Sequence, residues 1–248
     1  MSDEPHRAVY PPLDTLKPVA DDVWIVDSGP LHAMGLALPV RMTVVRLRGG
    51  EVWLHSPTRH DPGLQRAIEA IGPIRHLVAP NVAHWSFLKD WRTACPDATT
   101  WAAPGLRART PVKTSGVRLD HDLGPAAPAA WAGEIEQRVV PGGFGVTEVA
   151  FLHVPSRTLV LTDLIENLEP EKIGPIARPL LRLAGATAPD GRAPAHLRFA
   201  INRRRPAAQA AAREIAAWEP ARVIFAHGRW FDRDGAARLR RSFRWLLD

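Results

Sequence analysis

Four residues that could bind a metal or move a proton lie at or just past the ends of short apolar runs. His55 ends EVWLH, Asp163 ends TLVLTD, and His84 and His227 close HLVAPNVAH and RVIFAH. A polar side chain at the end of a buried strand is costly unless it has a partner, and open α/β sheets bind their ligands at strand carboxyl ends. We therefore expect an enzyme-like scaffold with a metal-type site.

Composition limits the chemistry of such a site. The chain has 248 residues and one cysteine, Cys95, so it can form neither an internal disulfide nor a thiolate zinc cluster, and any metal must use His and carboxylate ligands. The lone cysteine fits a reducing, cytoplasmic setting. The first 14 residues lack the apolar core of a signal peptide, and no apolar run reaches the roughly 18 residues of a membrane span.

The carboxyl-terminal region is strongly basic. Residues 192–248 hold thirteen Arg against five acidic residues. Such a region can bind nucleic acid, but Arg outnumbers Lys 28 to 4 in the whole chain, which indicates a general composition bias, and no nucleic-acid module signature accompanies it. We interpret it as a solvated face and expect a small-molecule substrate or ligand instead of nucleic acid.

The amino-terminal third is predicted to be antiparallel β structure. β-branched runs lie at residues 23–27 and 42–48, and Gly49-Gly50 before EVWLH predicts a two-residue hairpin turn with positive φ at both glycines. Apolar residues then recur at helical spacing between an expected N-cap at Asp61 and a stop at Gly72. This helix must cover one face of the sheet.

A further strand and helix determine where His84 lies. The strand is predicted at about 75–79, and a segment with helical spacing runs from Phe87 to Cys95 before Pro96 ends it. His84 is therefore expected at or near the first turn of that helix.

A second β region begins at EIEQRVV. Residues 147–163 are typical of a hairpin that turns at residues 155–157. If His153 lies opposite Thr158, the antiparallel register places Glu148 opposite Asp163. This pairing makes Glu148 a candidate site residue.

The remaining chain completes a fold prediction. Residues 166–206 are Pro-rich with a short apolar helix and are interpreted as a helical insertion or lid. A helix from Pro206 to about Trp218, the strand RVIFAHG and a last helix from Asp234 to Leu247 follow. Two β regions, each followed by helices, predict one domain, residues 1–248, with an αββα four-layer sandwich of two mixed β-sheets flanked by helices.

Several runs resemble the metallo-β-lactamase superfamily, in an uncharacterised branch. They are LKPVADDVWIVDSGP, RMTVVRLRGGEVWLHSP, HLVAPNVAHW and RTLVLTDLIEN, and with the late AHG the resemblance covers about residues 16–247. It implies the αββα fold and, in active members, a one- or two-metal hydrolytic site. The His-x-His-x-Asp-His loop of the superfamily falls on Ala79, Asn81, Ala83 and His84, so only the last His is retained. A later His of the pattern falls on Gly143.

The retained residues form a coherent set for one divalent metal. The resemblance matches Asp163 to the bridging aspartate and His227 to the final histidine, which together with His84 gives two imidazoles and a carboxylate with open positions for water. Zinc is favoured over non-haem iron, and a protein without metal is the alternative. We expect Glu148 as a further ligand, Asn81 as a hydrogen-bond donor to substrate, and His55 as an outer hydrogen-bonding or proton-transfer group beside the catalytic Asp163.

Two classes of function remain open. One is a single-metal hydrolase that uses a metal-activated water on a small ester, lactone, thioester or amide. The other is a catalytically silent member of the fold that binds a small ligand or partner. Serine hydrolysis is not expected, since no Gly-x-Ser-x-Gly elbow exists and Ser56 and Ser156 have no base at a recognisable spacing.

Overall fold

Two β-sheets form the centre of the protein in a computed structural model that describes residues 8–33, 35–175 and 177–248. Residues 1–7, which carry part of the signal-peptide expectation, lie outside the described residues. The first sheet has seven strands that follow one another in chain order: β1 (Lys17–Ala20), β2 (Val23–Ala33), β3 (Leu36–Arg46), β4 (Val52–His55), β5 (Ile74–Ala79), β6 (Thr99–Ala102) and β7 (His121–Asp122).

The second sheet holds four strands, β8 (Ile135–Pro141), β9 (Thr147–His153), β10 (Thr158–Val160) and β12 (Arg222–Ile224). Their order across the sheet is β12-β10-β9-β8. A small parallel pair joins β11 (Glu166–Asn167) to β13 (His227–Gly228). Each large sheet combines antiparallel and parallel pairs, which confirms the prediction of two mixed sheets.

Helices cover the outer faces of both sheets. They are α1 (Pro62–Glu69), α2 (Leu88–Ala94), α3 (Thr110–Ser115), α4 (Arg178–Ala184), α5 (Ala195–Asn202), α6 (Arg205–Ala217) and α7 (Gly235–Leu247). Helices α1 and α2 bury apolar residues against the first sheet, and α6 and α7 do so against the second. A third core lies between the sheets, where Trp53 of β4 meets Phe151 of β9 edge to face at 5.1 Å. These four layers are the predicted αββα sandwich.

The predicted α1 helix is confirmed, with the side chain of Asp61 accepting a hydrogen bond from the Leu64 N–H at 2.8 Å.

The hairpin turn between β3 and β4 differs from the predicted two-residue turn. Of the two glycines in the turn, Gly49 and Gly50, only Gly50 has a positive φ, at 85°. The Leu47 N–H donates to the Glu51 carbonyl at 2.8 Å. Because Leu47 pairs with Glu51, the turn is longer than two residues. Its last residue, Gly50, adopts the left-handed conformation.

The segment around His84 agrees with its expected place at or near the first turn of a helix. Helix α2 begins at Leu88, and His84 lies in the turn that directly precedes it. Residues 166–206, interpreted as a helical insertion or lid, include α4 and α5, and α5 buries Leu197 and Ile201 in the same core as α6. A lid function for this segment stays a prediction. No described helix has the length and apolar character to cross a membrane.

One close backbone contact ties α1 to the β3-β4 turn. A Cβ atom on Gly72 would lie 2.0 Å from the Gly50 carbonyl oxygen, whereas a Cβ on Gly49 would meet nothing within 4 Å. Since backbone cannot yield as a flexible side chain does, residue 72 must be glycine for the turn and the helix end to pack.

We expect Gly72→Ala to lower the free energy of unfolding by about 1–3 kcal/mol, because the added methyl group forces the two backbone segments apart. Gly49→Ala is the matched control and should change it by less than about 0.5 kcal/mol. Urea unfolding of both variants measures the difference. Equal stabilities would contradict the packing described.

Candidate metal centre

The structure brings three of the predicted residues together at the carboxyl ends of the strands. His84 follows β5, Asp163 follows β10, and His227 follows β12 and begins the short β13. Asp163 Oδ1 lies 3.1 Å from His84 Nε2 and 3.2 Å from His227 Nε2, and the two nitrogens are 3.3 Å apart. The three side chains are 7–18% exposed, so the group opens to solvent.

These separations fit one small cation. Zinc binds His nitrogen and carboxylate oxygen at about 2.0–2.2 Å in a tetrahedron, whose edges are then roughly 3.3–3.6 Å long. The triangle formed by the two Nε2 atoms and Oδ1, with sides of 3.1–3.3 Å, is close to one face of such a tetrahedron. The fourth corner remains for water or substrate.

The protonation of His227 supports the same conclusion. Its Nδ1 faces the Pro39 carbonyl at 2.7 Å, and since a carbonyl only accepts, Nδ1 carries a hydrogen and donates it. In the neutral ring Nε2 is then an acceptor, and it faces the carboxylate oxygen of Asp163, which is also an acceptor. Two acceptors at 3.2 Å require a proton or a metal ion between them.

The charged forms of His227 and Asp163 stabilise each other. Burial alone would lower the pKa of His227, but the hydrogen bond and charge of Asp163 outweigh it and raise this pKa to about 9. Burial would raise the pKa of Asp163, yet the imidazoles of His84 and His227 hold it well below its usual range. The site therefore keeps a carboxylate and, without metal, an imidazolium at neutral pH.

Asn81 connects the site residues to one another. Its side-chain oxygen accepts hydrogen bonds from the N–H groups of Ala83 and His84, both at 2.8 Å, while its amide nitrogen donates to Asp163 Oδ2 at 2.7 Å and to Thr162 Oγ1 at 2.9 Å. The prediction that Asn81 donates to substrate is corrected, because its amide is buried and occupied internally. It orients Asp163 so that Oδ1 faces the histidines.

Glu148 supports the loop that carries Asp163. The predicted register, with His153 opposite Thr158, is confirmed, but strand pairing ends at Val160, and the Glu148 side chain continues the connection. Its carboxylate accepts from the N–H groups of Thr162 at 2.7 Å and Asp163 at 2.9 Å. Glu148 is thus corrected from a further ligand to an anchor, since its oxygens are already engaged and it lies outside the three-residue group.

His55 does not join the group. It is fully buried, its ring stacks on Trp53 at 5.4 Å and meets Phe151 edge to face at 5.4 Å, and its Nε2 has no hydrogen-bond partner among the described residues. Burial lowers the pKa of His55 to about 3. A neutral histidine enclosed by aromatic rings does not carry protons near pH 7, so the predicted proton-transfer role is corrected to a packing role.

Ser56 is a site residue that the sequence analysis missed. Its hydroxyl lies 2.7 Å from His84 Nδ1, a contact that the sequence spacing of the two residues does not indicate. Ser56 N–H donates to the Val78 carbonyl of β5 at 2.9 Å and its φ is 53°, which turns the side chain toward the loop that follows β5. The signal was its position at the end of β4, beside β5.

Glu166 is a second missed residue. It lies opposite His227 in the β11-β13 pair, and burial raises the pKa of its carboxyl to about 7. A carboxyl with this pKa can give or take a proton near neutral pH. The sequence LIEN after Asp163 does not indicate that Glu166 lies beside His227, because the strand β11 pairs with β13, which is distant in the sequence.

The surroundings of Gly143 leave no room for a side chain. Gly143 N–H donates to the Ala200 carbonyl at 2.8 Å, and a Cβ on Gly143 would lie 2.6 Å from the Cβ of Arg203. The chain at the end of α5 fills the space into which a side chain at position 143 would project. No second group of three metal-capable residues occurs in the described part of the chain.

Comparisons with known proteins agree with this architecture. The metallo-β-lactamase FIM-1 from Pseudomonas aeruginosa in its mono-zinc form shares 15% identity, covers 94% of each chain and has a TM-score of 0.63. Metallo-β-lactamases from Erythrobacter litoralis (13% identity, 93% of this chain and 95% of that chain, TM-score 0.65) and Pontibacter korlensis (13%, 94% and 99%, 0.64) are similar.

At these identities the likeness shows the fold alone, and the fold is that of the metallo-β-lactamases. No curated protein matches the sequence. The model of one sequence family, described as a domain of unknown function (DUF4336), matches residues 20–188. Since this match spans more than half of the chain, the protein belongs to the DUF4336 family.

Proposed function

We propose that this protein is a single-metal hydrolase of a small ester, lactone, thioester or amide. The observation that supports it most is the convergence of His84 Nε2, His227 Nε2 and Asp163 Oδ1, which lie 3.1–3.3 Å from one another. The similar mono-zinc FIM-1 structure is consistent with one metal in this fold.

The three residues would hold a divalent metal, for which zinc is favoured over iron because two imidazoles and a carboxylate suit a tetrahedral zinc site. A metal held there would lower the pKa of a bound water to about 7 and polarise a substrate carbonyl. The fold of the loops leaves the group partly exposed, as a substrate requires.

The surrounding residues prepare the ligand atoms. The Pro39 carbonyl holds the hydrogen of His227 on Nδ1, which leaves the Nε2 lone pair free. If His84 Nδ1–H donates to the Ser56 hydroxyl, Nε2 of His84 is free as well. Asn81 fixes the orientation of Asp163 by donating to its second oxygen. Such outer hydrogen bonds set tautomer and orientation in metal sites.

A second candidate is a serine hydrolase, which the contacts among Ser56, His84 and Asp163 favour. It requires the opposite tautomer, with Ser56 donating to Nδ1 and Nε2–H donating to Asp163. Against it, Ser56 is only 4% exposed and its N–H is already used by β5. The third candidate is a silent binder, because the resemblance places Asn81 and Gly143 where the superfamily has metal ligands.

The metal affinity of the site should rise with pH. The folded pKa of His227, about 9, exceeds the usual value near 6.5, so its proton stabilises the metal-free protein below pH 6.5, and this contribution disappears as the pH passes 9. Zinc must displace that proton. We expect affinity to increase up to roughly tenfold per pH unit between pH 7 and 9, measured by competition with a chromophoric chelator.

Asp163→Asn is the control for this dependence, because an amide no longer raises the pKa of His227. The variant should bind zinc more weakly and with a flatter pH profile. A wild-type affinity that stays constant from pH 7 to 9 would mean that no proton on His227 competes with the metal.

Activity separates the candidate functions. On a panel of esters, lactones and thioesters, the zinc-loaded protein should turn over at least one substrate, with a rate that rises through about pH 7. Asp163→Ala should lower the rate to background while circular dichroism shows that the fold survives. Ser56→Ala should retain metal-dependent turnover, reduced about tenfold as for an outer hydrogen-bond partner.

Each other outcome identifies a rival. Turnover lost in Ser56→Ala with zinc still bound, and retained in chelator-treated wild type, would favour the serine hydrolase. Absence of turnover with every panel member, together with ligand binding that survives in Asp163→Ala, would favour the silent binder.

A further inference from the structure

Most of the exposed apolar surface lies on three neighbouring elements. Six large apolar side chains are exposed among the described residues, and the four most exposed come from the β8-β9 turn and from helices α4 and α5. They are Phe144 (70% exposed), Leu180 (69%), Leu183 (82%) and Phe199 (56%). We call these four side chains the apolar patch. Clustered apolar side chains on a surface mark an interaction site, whereas single ones do not.

Contacts join the three elements that carry the apolar patch. The rings of Phe144 and Phe199 stack with their centroids 6.1 Å apart and their planes at 11°. The side chain of Arg198, which precedes Phe199, donates from Nη2 to the carbonyl of Ala184, which follows Leu183, at 3.0 Å. Helix α4 is therefore held against α5, and the leucines and phenylalanines belong to adjoining parts of the surface.

The backbone at Phe144 also needs an explanation. Its φ is 58°, in the left-handed region that favours glycine and that aromatic residues rarely adopt. Its neighbours in the chain, Gly143 and Gly145, have no such restriction. Neither the backbone conformation nor burial in a core accounts for a phenylalanine at this position, which points to a partner outside the chain.

Positive charge surrounds the apolar patch. Residues 178–205 hold seven Arg and one acidic residue, Asp190, and Asp190 is engaged by Arg241 at 3.1 Å. The guanidinium of Arg203 lies over the rings of both phenylalanines, at 5.7 and 4.9 Å from their centroids. Arg182 is exposed on α4 between the two leucines in sequence. Neither Arg182 nor Arg203 forms an ion pair with a carboxylate in the described part of the chain.

We propose that the apolar patch and the Arg residues around it bind the surface of a membrane that contains anionic lipids. The leucine and phenylalanine side chains would enter the boundary between headgroups and acyl chains. The guanidinium groups would meet the lipid phosphates, which Arg binds with two parallel hydrogen bonds. Part of the basic region interpreted from the sequence as a solvated face would then contact lipid. This binding does not depend on the proposed hydrolase.

The combination of charges and apolar side chains favours lipid over other partners. A second copy of the chain that pairs through the same face would bring identical Arg side chains together, and their repulsion opposes such a dimer. Nucleic acid offers phosphates but no apolar interior for Leu180 and Leu183. An anionic membrane surface supplies a complement to both parts of the face.

Flotation of the full chain with lipid vesicles tests this proposal. One set of vesicles is phosphatidylcholine alone, and the other contains roughly 30% phosphatidylglycerol, a source of negative surface potential. We expect binding to the anionic vesicles, with a partition coefficient at least about tenfold higher than for the neutral ones. The binding should weaken as NaCl is raised from about 0.1 M to about 1 M, because salt screens the charges. Chelator treatment should leave it unchanged.

Two double variants locate the binding on this face. Leu180→Ser with Leu183→Ser should lower the partition coefficient roughly tenfold or more, because the apolar side chains that enter the membrane are removed. Arg182→Gln with Arg203→Gln should lower it by a similar factor for anionic vesicles and should have little effect on the weak binding to neutral ones. These side chains are exposed, and circular dichroism checks that the variants fold.

Matched controls come from the opposite end of β9. Val154 is 38% exposed and follows β9, whereas Phe144 precedes this strand. Arg233 is exposed and lines a surface depression that also includes Arg157 of the β9-β10 turn. Val154→Ser and Arg233→Gln remove the same kinds of group elsewhere and should bind vesicles as the wild type does.

Four results would overturn the proposal. The first two are absence of binding to anionic vesicles and equal affinities in the patch variants and the controls. The third is equal binding to neutral and anionic vesicles, which would remove the role of the Arg residues. The fourth is a wild-type dimer in analytical ultracentrifugation that Leu180→Ser with Leu183→Ser dissociates, without vesicle binding, which would assign the apolar patch to a second copy of the chain.

Discussion

The central constraint in this protein is that two acceptor atoms, Nε2 of His227 and Oδ1 of Asp163, face each other at 3.2 Å. Electrostatics allows this arrangement only when a cation lies between them, either a proton or a metal ion. The Pro39 carbonyl keeps the histidine in this tautomer, and Asn81 keeps the carboxylate in this orientation. Both sheets are involved, since His84 follows β5 of the first sheet, and Asp163 and His227 follow β10 and β12 of the second.

Holding Asp163 in this position requires buried polar groups beneath the site, which are the side chains of Glu148 and Asn81. The carboxylate of Glu148 accepts main-chain hydrogen bonds from the loop of Asp163, and that loop has no strand partner there. Burial and the nearby Asp163 raise the pKa of Glu148, while the bonds from Thr162 and Asp163 act against this rise. Glu148 and Asn81 thus form a rigid base from which one carboxylate and one imidazole project.

The surroundings of Asn81 and Gly143 leave no room for further metal ligands. The amide of Asn81 is engaged in hydrogen bonds within the protein, and the end of α5 occupies the space beside Gly143. A substitution at position 143 alone would therefore not create a second site, because the added side chain would collide with Arg203. The group formed by His84, Asp163 and His227 fits one cation.

Local signals in the sequence predicted much of this fold. The Asp61 cap fixed the start of α1, the His153–Thr158 register placed Glu148 next to the Asp163 loop, and strand ends marked three residues that do converge. The failures have a common physical origin, because periodicity reports which strand end a residue occupies but not which way its side chain points. His55 and Ser56 are neighbours in sequence, yet one packs among aromatic rings and the other contacts His84.

The count of tightly bound metal tests the single-cation site most directly. Protein purified without chelator or immobilised-metal resin, loaded with zinc and dialysed, should retain one equivalent per chain by elemental analysis, and His227→Ala should lose most of it, since it removes one of only two imidazoles. Two retained equivalents, or one equivalent that persists unchanged in His227→Ala, would contradict the site described for His84, Asp163 and His227.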